Sequence, residues 1–203
     1  MRISVLLLLV AFTLGCNSSG GTGTTIGNED EYKSSLAKAE GLSRDGLQKL
    51  NLDEELSESD KANLAEAATE FEALVSYKAD QFAPHLALGM IYRGLGNKDA
   101  AEKNLRQCLE NLPTEDSLAV RATKNEAHYQ LSRVLVDKGD FHGALAEAEV
   151  AADADPQNPN YQVGKASALA QLDRGPEAIK ALDHALKLDP NHKRARGLKK
   201  LLN

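Results

Sequence analysis

The stretch Asn125 to Asn158, NEAHYQLSRVLVDKGDFHGALAEAEVAADADPQN, lies over Pro159 to His192, PNYQVGKASALAQLDRGPEAIKALDHALKLDPNH, at an offset of 34 residues. Ser132 then meets Ala166, Ala144 meets Ala178, Ala151 meets Ala185, and Asp155-Pro156 meets Asp189-Pro190. Self-similarity at a fixed period of this length marks a solenoid of helix pairs. Two antiparallel helices approach closely only where small residues meet large ones, so recurring Ala, Ser and Gly are the packing points. Each pair leaves an apolar face that only the next pair covers, so about three units are needed, with atypical units at the ends.

A third copy runs from 82 to 115. It reads His85-x2-Leu88-Gly89-x2-Tyr92, then Gly96-Asn97, Ala101-x3-Leu105, Cys108 and Pro113. The middle copy, 125–158, offers His128-x2-Leu131-Ser132-x2-Leu135, Gly139-Asp140-Phe141, Ala144, Ala151 and Asp155-Pro156. The last, 159–192, departs most, with Gln162 and Lys165 at the first landmarks and Asp173-Arg174-Gly175-Pro176 between its helices. The pattern resembles the tetratricopeptide repeat (TPR) family, whose unit runs W-x2-L-G-x2-Y, A-x3-F, P. The resemblance implies an all-α fold, a right-handed α-α superhelix of about four helix pairs with a C-terminal capping helix.

Upstream, Ala67-x3-Phe71-x2-Leu74 marks a second repeat helix, and 28–79 is read as one divergent helix pair. Its first helix, Asp30 to Leu50, is weakened by Gly41 and Gly46. Ser57 or Ser59 can cap its second helix. Between the first two full copies the period lengthens to 43, because Asp116 to Lys124 is inserted. That insertion lacks Gly and Pro and is expected to extend the next helix at its N-terminus, either as a contact arm or as cover for a neighbouring loop. Residues 191–203 read as a short capping helix. Leu198, Leu201 and Leu202 are expected toward the stack, with Lys193, Arg194, Arg196, Lys199 and Lys200 in water.

Met1-Arg2, the apolar run Ile3 to Leu14 and then Gly15-Cys16 resemble a bacterial lipoprotein signal peptide, 1–15. The run reaches about 18 Å as a helix against roughly 30 Å of bilayer core, so it is read as an export signal rather than a span. The resemblance implies acylation of Cys16 and a membrane tether through the Ser/Gly/Thr linker of 16–27. Asn17, where some Gram-negative lipoproteins carry a retaining Asp, points to the outer membrane, facing the periplasm. The expected location is therefore the cell envelope.

The chain holds 24 Lys and Arg against 30 Asp and Glu, a net charge of −6, which excludes a nucleic-acid partner. The charge is uneven: Asp53 to Glu72 is acidic and Lys187 to Asn203 basic. These read as two solvated faces, or as the basis of weak head-to-tail self-association. Cys108 stands at a small-residue position and is read as an inert packing thiol. The five histidines show no metal-ligand spacing, and His85 and His128 share a landmark position that favours core packing. No cofactor is implied. No Ser-His-Asp, Cys-His or paired-carboxylate arrangement stands out, so the chain is not read as an enzyme.

What a stack of this kind offers is a face lined by the first helix of each repeat. Carried over position by position, the resemblance names Leu86, Met90 and Arg93, then Tyr129, Arg133, Val136 and Asp137, then Val163, Ser167 and Ala170. The carboxylate clamp of chaperone-binding TPR domains is absent, because its positions hold Leu86, Met90, Gln130, Asn160 and Gly164. A protein or peptide segment with apolar anchors and an acidic residue near Arg93 and Arg133 fits; the arginines could equally serve to solvate the groove. Two functions remain open: a membrane-tethered adaptor, or an accessory subunit that positions an envelope enzyme complex for peptidoglycan or polymer secretion.

Overall fold

The structure is a computed structural model that describes residues 25–52 and 54–202. The signal segment 1–15, Cys16 and the linker as far as 24 lie outside the described residues. Among the described residues the regular elements are helices alone: α1 (Glu29–Asn51), α2 (Glu58–Tyr77), α3 (Phe82–Gly94), α4 (Lys98–Glu110), α5 (Leu118–Lys138), α6 (Phe141–Ala154), α7 (Pro159–Gln171), α8 (Gly175–Leu188) and α9 (Lys193–Leu202). They fall into two compact units, one up to Thr123 and one from Lys124 onward.

In the first unit, α1 pairs with α2 and α3 with α4, and α3 also packs on α1 and α2. Contacts along α1 and α2 run in opposite directions. Ser35 Oγ donates to Glu70 Oε2 at 2.6 Å, Lys38 pairs with Glu70 and Glu66, Gly46 lies against Leu64, and Lys49 pairs with Asp60 at 2.6 Å. The α3/α4 pair is antiparallel by the same test, with His85 at Asn104 and Gly89 at Leu105 and Ala101. Gly89 is needed there, because a Cβ on it would stand 2.5 Å from Leu105 Cγ. Gly46 does the same for the first pair: a Cβ would meet three Leu64 atoms within 2.9 Å. Helix propensity alone makes Gly46 a weak point of α1, whereas in the structure it is a closest-approach residue of the helix pair.

The second unit holds α6 to α9 and α5 from Lys124 on. Here α7 packs on α6 and α8, and α9 on α8 and α7. The repeat landmarks of both units are core. Ala67, Ala101, Ala144 and Ala178 have no exposed surface, and neither do Leu74, Cys108, Ala151 and Ala185 seven residues further on. Burial pushes the Cys108 thiol up to about 12, so it stays protonated and unreactive.

Helix ends follow from local chemistry. Ser57 caps α2 in a capping box with Asp60, and Asn28, Asn97, Asp140 and Asn158 cap α1, α4, α6 and α7. Gly96, Gly139 and Asp173 occupy the same turn position in their repeats, and all three have positive φ. In the last repeat the left-handed residue is thus Asp173, a type that tolerates the region, while Gly175 and Pro176 begin α8.

The inserted residues Leu118 to Lys124 form the first turns of α5, and Leu118 is 73% exposed. At the C-terminal helix the structure corrects the expected facing. Ala195 is the fully buried residue of α9, Leu198 and Leu202 are half-buried, and Leu201 is 82% exposed. The reason is phase: Ala195 and Leu202 share a helix row, and Leu201 is turned about 100° away from Leu202.

Candidate functional site

Helices α3, α5 and α7 are the first helices of the three full repeats, and the 34-residue register makes α9 a further one. Glu126, Asn160 and Arg194 share one register position, and Arg133, Ser167 and Leu201 another. Within the second unit this register gathers a polar cluster from α5, α7 and α9. Arg194 donates through its guanidinium to Tyr129 Oη and to Ser167 Oγ, each at 3.3 Å. The Arg133 guanidinium lies 5.5 Å from the Tyr129 ring centroid, a cation–π distance. The Tyr129 and Tyr161 rings are 5.3 Å apart and tilted, packed with Ala151 and Ala152 of α6. Gly164 leaves room for this stack, since a Cβ there would meet Tyr129 ring carbons at 3.0 Å.

A buried carboxyl meets the stack at the Tyr161 hydroxyl. Glu126 accepts from Gln130 Nε2 at 2.7 Å and from Tyr161 Oη at 3.3 Å. Burial raises the Glu126 pKa, opposed by the Gln130 and Tyr161 hydrogen bonds and by Arg133. Burial, followed by the nearby Glu126 charge, also raises the Tyr161 phenol. The cluster therefore fixes three helices at their polar side and leaves Arg194 and Ser167 half-exposed above it.

The residues named from the resemblance separate by depth. Tyr129, Arg133 and Ser167 come together with Arg194, so Arg194 does not stand in water as its place in a basic tail predicts. Val163 has no exposed surface and packs inside the unit, so it cannot touch a partner in this conformation. Tyr129 and Arg133, at 5% and 4% exposure, support the face more than they present it. Val136 is half-buried and Asp137 exposed near the end of α5, and Ala170 is half-buried on α7. In the first unit, Leu86 and Met90 are buried on α3, whereas Arg93 is half-buried.

A second regularity was not read from sequence. His85 Nδ1 donates to Asn104 Oδ1 at 2.9 Å, and His128 Nδ1 to Glu147 Oε2 at 2.6 Å. Both pairs span 19 residues, so the two histidines are polar ties between the helices of a repeat. Glu70 occupies the position of Asn104 and Glu147 and receives Ser35 and Lys38. A search for complementary polar residues at that constant spacing would have found the ties. Among the described residues, no group of three or more His, Cys, Asp or Glu is placed to hold a metal ion, and no helix is long and apolar enough to cross a membrane.

The fold and this polar face define an α-solenoid repeat protein. Comparisons with known proteins give the family. A tetratricopeptide repeat model matches residues 135–202 and another matches 84–112. The TPR repeat-containing thioredoxin TTL4 of Arabidopsis thaliana is 34% identical over 77 residues, 38% of this chain, and the chain spans only 11% of that protein. A crystal structure of MamA superposes with a TM-score of 0.59 at 16% identity, over 72% of this chain and 83% of MamA. MamA from Desulfovibrio magneticus RS-1 does so at 0.55 and 17% identity, over 81% and 93%. These solved structures share the fold. The chain is a tetratricopeptide-repeat protein.

Proposed function

We propose that the chain is a non-catalytic protein-interaction scaffold, tethered to a bacterial envelope membrane through acylated Cys16, that binds an acidic protein segment on its first-helix face. The observation that supports this most is the convergence of Tyr129, Arg133, Ser167 and Arg194 from three helices of the second unit. The half-exposed Arg194 guanidinium beside the Ser167 hydroxyl suits a carboxylate-bearing segment, while the nearly buried Arg133 holds the Tyr129 ring that supports it. The tetratricopeptide matches support a protein partner. The tether rests on Gly15-Cys16 and the segment before it, and the outer-membrane location facing the periplasm rests on Asn17 after the cysteine.

The test is site-specific photocrosslinking in intact cells, with the reactive group at Ser167 or, as a control, at Val150, exposed on α6. The expected result is a discrete adduct from Ser167 that disappears with Arg194→Glu and is not formed from Val150. Equal adducts from both positions would remove the assignment of this face. Radiolabelled palmitate incorporated by the wild type and lost in Cys16→Ala checks the tether separately.

A further inference from the structure

We propose that α9 is a docking helix for an anionic lipid surface. Its outward side carries Lys193, Arg196 and Lys200, all exposed, and α9 has no acidic residue. Beside this cationic side, about 80° round the helix from Lys193, stands Leu201, at 82% the most exposed large hydrophobic side chain among the described residues. The opposite side is anchored by buried Ala195 and half-buried Leu198 and Leu202, and Lys199 is held by Asp183 at 2.5 Å. A cationic side with one projecting leucine at its edge suits the interface, with the ammonium and guanidinium groups at anionic headgroups and the leucine able to reach the acyl boundary.

The repeat register argues against another helix on this face. Lys200 stands where Gly89, Ser132 and Ala166 stand in α3, α5 and α7, and at Gly89 the paired helix approaches within the reach of a single Cβ. A lysine there holds a helix off. Self-association through the acidic stretch is also weakened, because those carboxylates have local partners. Lys49 takes Asp60, Lys38 takes Glu66 and Glu70, and Lys61 takes Glu58.

The experiment is cosedimentation of the full chain with phosphatidylcholine vesicles containing increasing phosphatidylglycerol. Wild type is compared with Lys193→Glu/Lys200→Glu; the apolar N-terminal run is common to both and cancels. Arg196 is left in place because it also ties α9 to Pro190 O and Asn191 Oδ1. Each cation at an anionic surface is worth about fivefold, so the double variant should lose at least about twentyfold of the phosphatidylglycerol-dependent binding. A polarity-sensitive dye on Leu201→Cys should shift to the blue on phosphatidylglycerol vesicles and not on pure phosphatidylcholine. Undiminished binding by the double variant, or a silent dye on bound chain, overturns the proposal. So does low-salt self-association without vesicles that the double variant abolishes, since the occupant of the face would then be a second copy.

Discussion

Gly41 and Gly46 lie in the same helix and differ in what surrounds them. Nothing stands within 4 Å of a Cβ on Gly41, whereas one on Gly46 would overlap the Leu64 side chain. Gly41→Ala should therefore stabilise the protein by about 0.5–1 kcal/mol through backbone entropy alone. Gly46→Ala gains the same term and forces Leu64, which has no exposed surface, out of place. Overpacking costs about 1–3 kcal/mol, so the net change is destabilising. Urea denaturation of both variants reads the two signs. Glu126 is a second residue whose surroundings decide its effect. Burial raises its pKa, so the folded state holds the Glu126 proton more tightly than the unfolded chain does. Folding is then penalised at pH above the unfolded carboxyl pKa of about 4.3, and the penalty is absent well below it. Glu126→Gln keeps the shape and removes the titration. Its stability relative to wild type should rise as pH is raised from 4 toward 8; a difference independent of pH would show that the carboxyl is not strained.

At the scale of an element, α2 shows how one helix start is locked. Ser57 Oγ accepts from the Asp60 N–H, and the Asp60 carboxylate in turn accepts from the Ser57 N–H and hydroxyl while holding Lys49 of α1. The Lys49 ammonium first, then the Ser57 hydroxyl and N–H, hold the Asp60 carboxyl down at about 2 against its ordinary 3.8. A depressed carboxyl stabilises fully above its unfolded pKa, and that stabilisation is lost as pH falls from about 4 to about 2. Asp60→Asn lowers stability at neutral pH and should flatten the acid limb in that window. Denaturation midpoints of the two proteins should converge as pH approaches 2; parallel curves would mean that Lys49 and Ser57 do not act through the charge.

Across the whole molecule, the repeat columns were legible because identical spacing puts identical residue types at one packing point, and Ala67, Ala101, Ala144 and Ala178 are buried without exception. The candidate face was legible in position and not in depth. Periodicity gives the direction of Val163 and Arg133 but not how much neighbouring side chain lies over them. Arg194 was missed because its contact with Tyr129 spans 65 residues, and an arginine in a basic tail carries no local sign of it. The division into two units, also silent in the sequence, yields a prediction for Phe71→Ala. Phe71 is 1% exposed, so truncation should cost about 3–5 kcal/mol. Repeat arrays open through their local units, because each repeat is stabilised by its neighbours rather than by one shared core. Hydrogen exchange of the variant should therefore accelerate in α1 to α4, while amides of α7 and α8 keep most of their protection. Uniform acceleration over all helices would show instead that the two units unfold as one cooperative body.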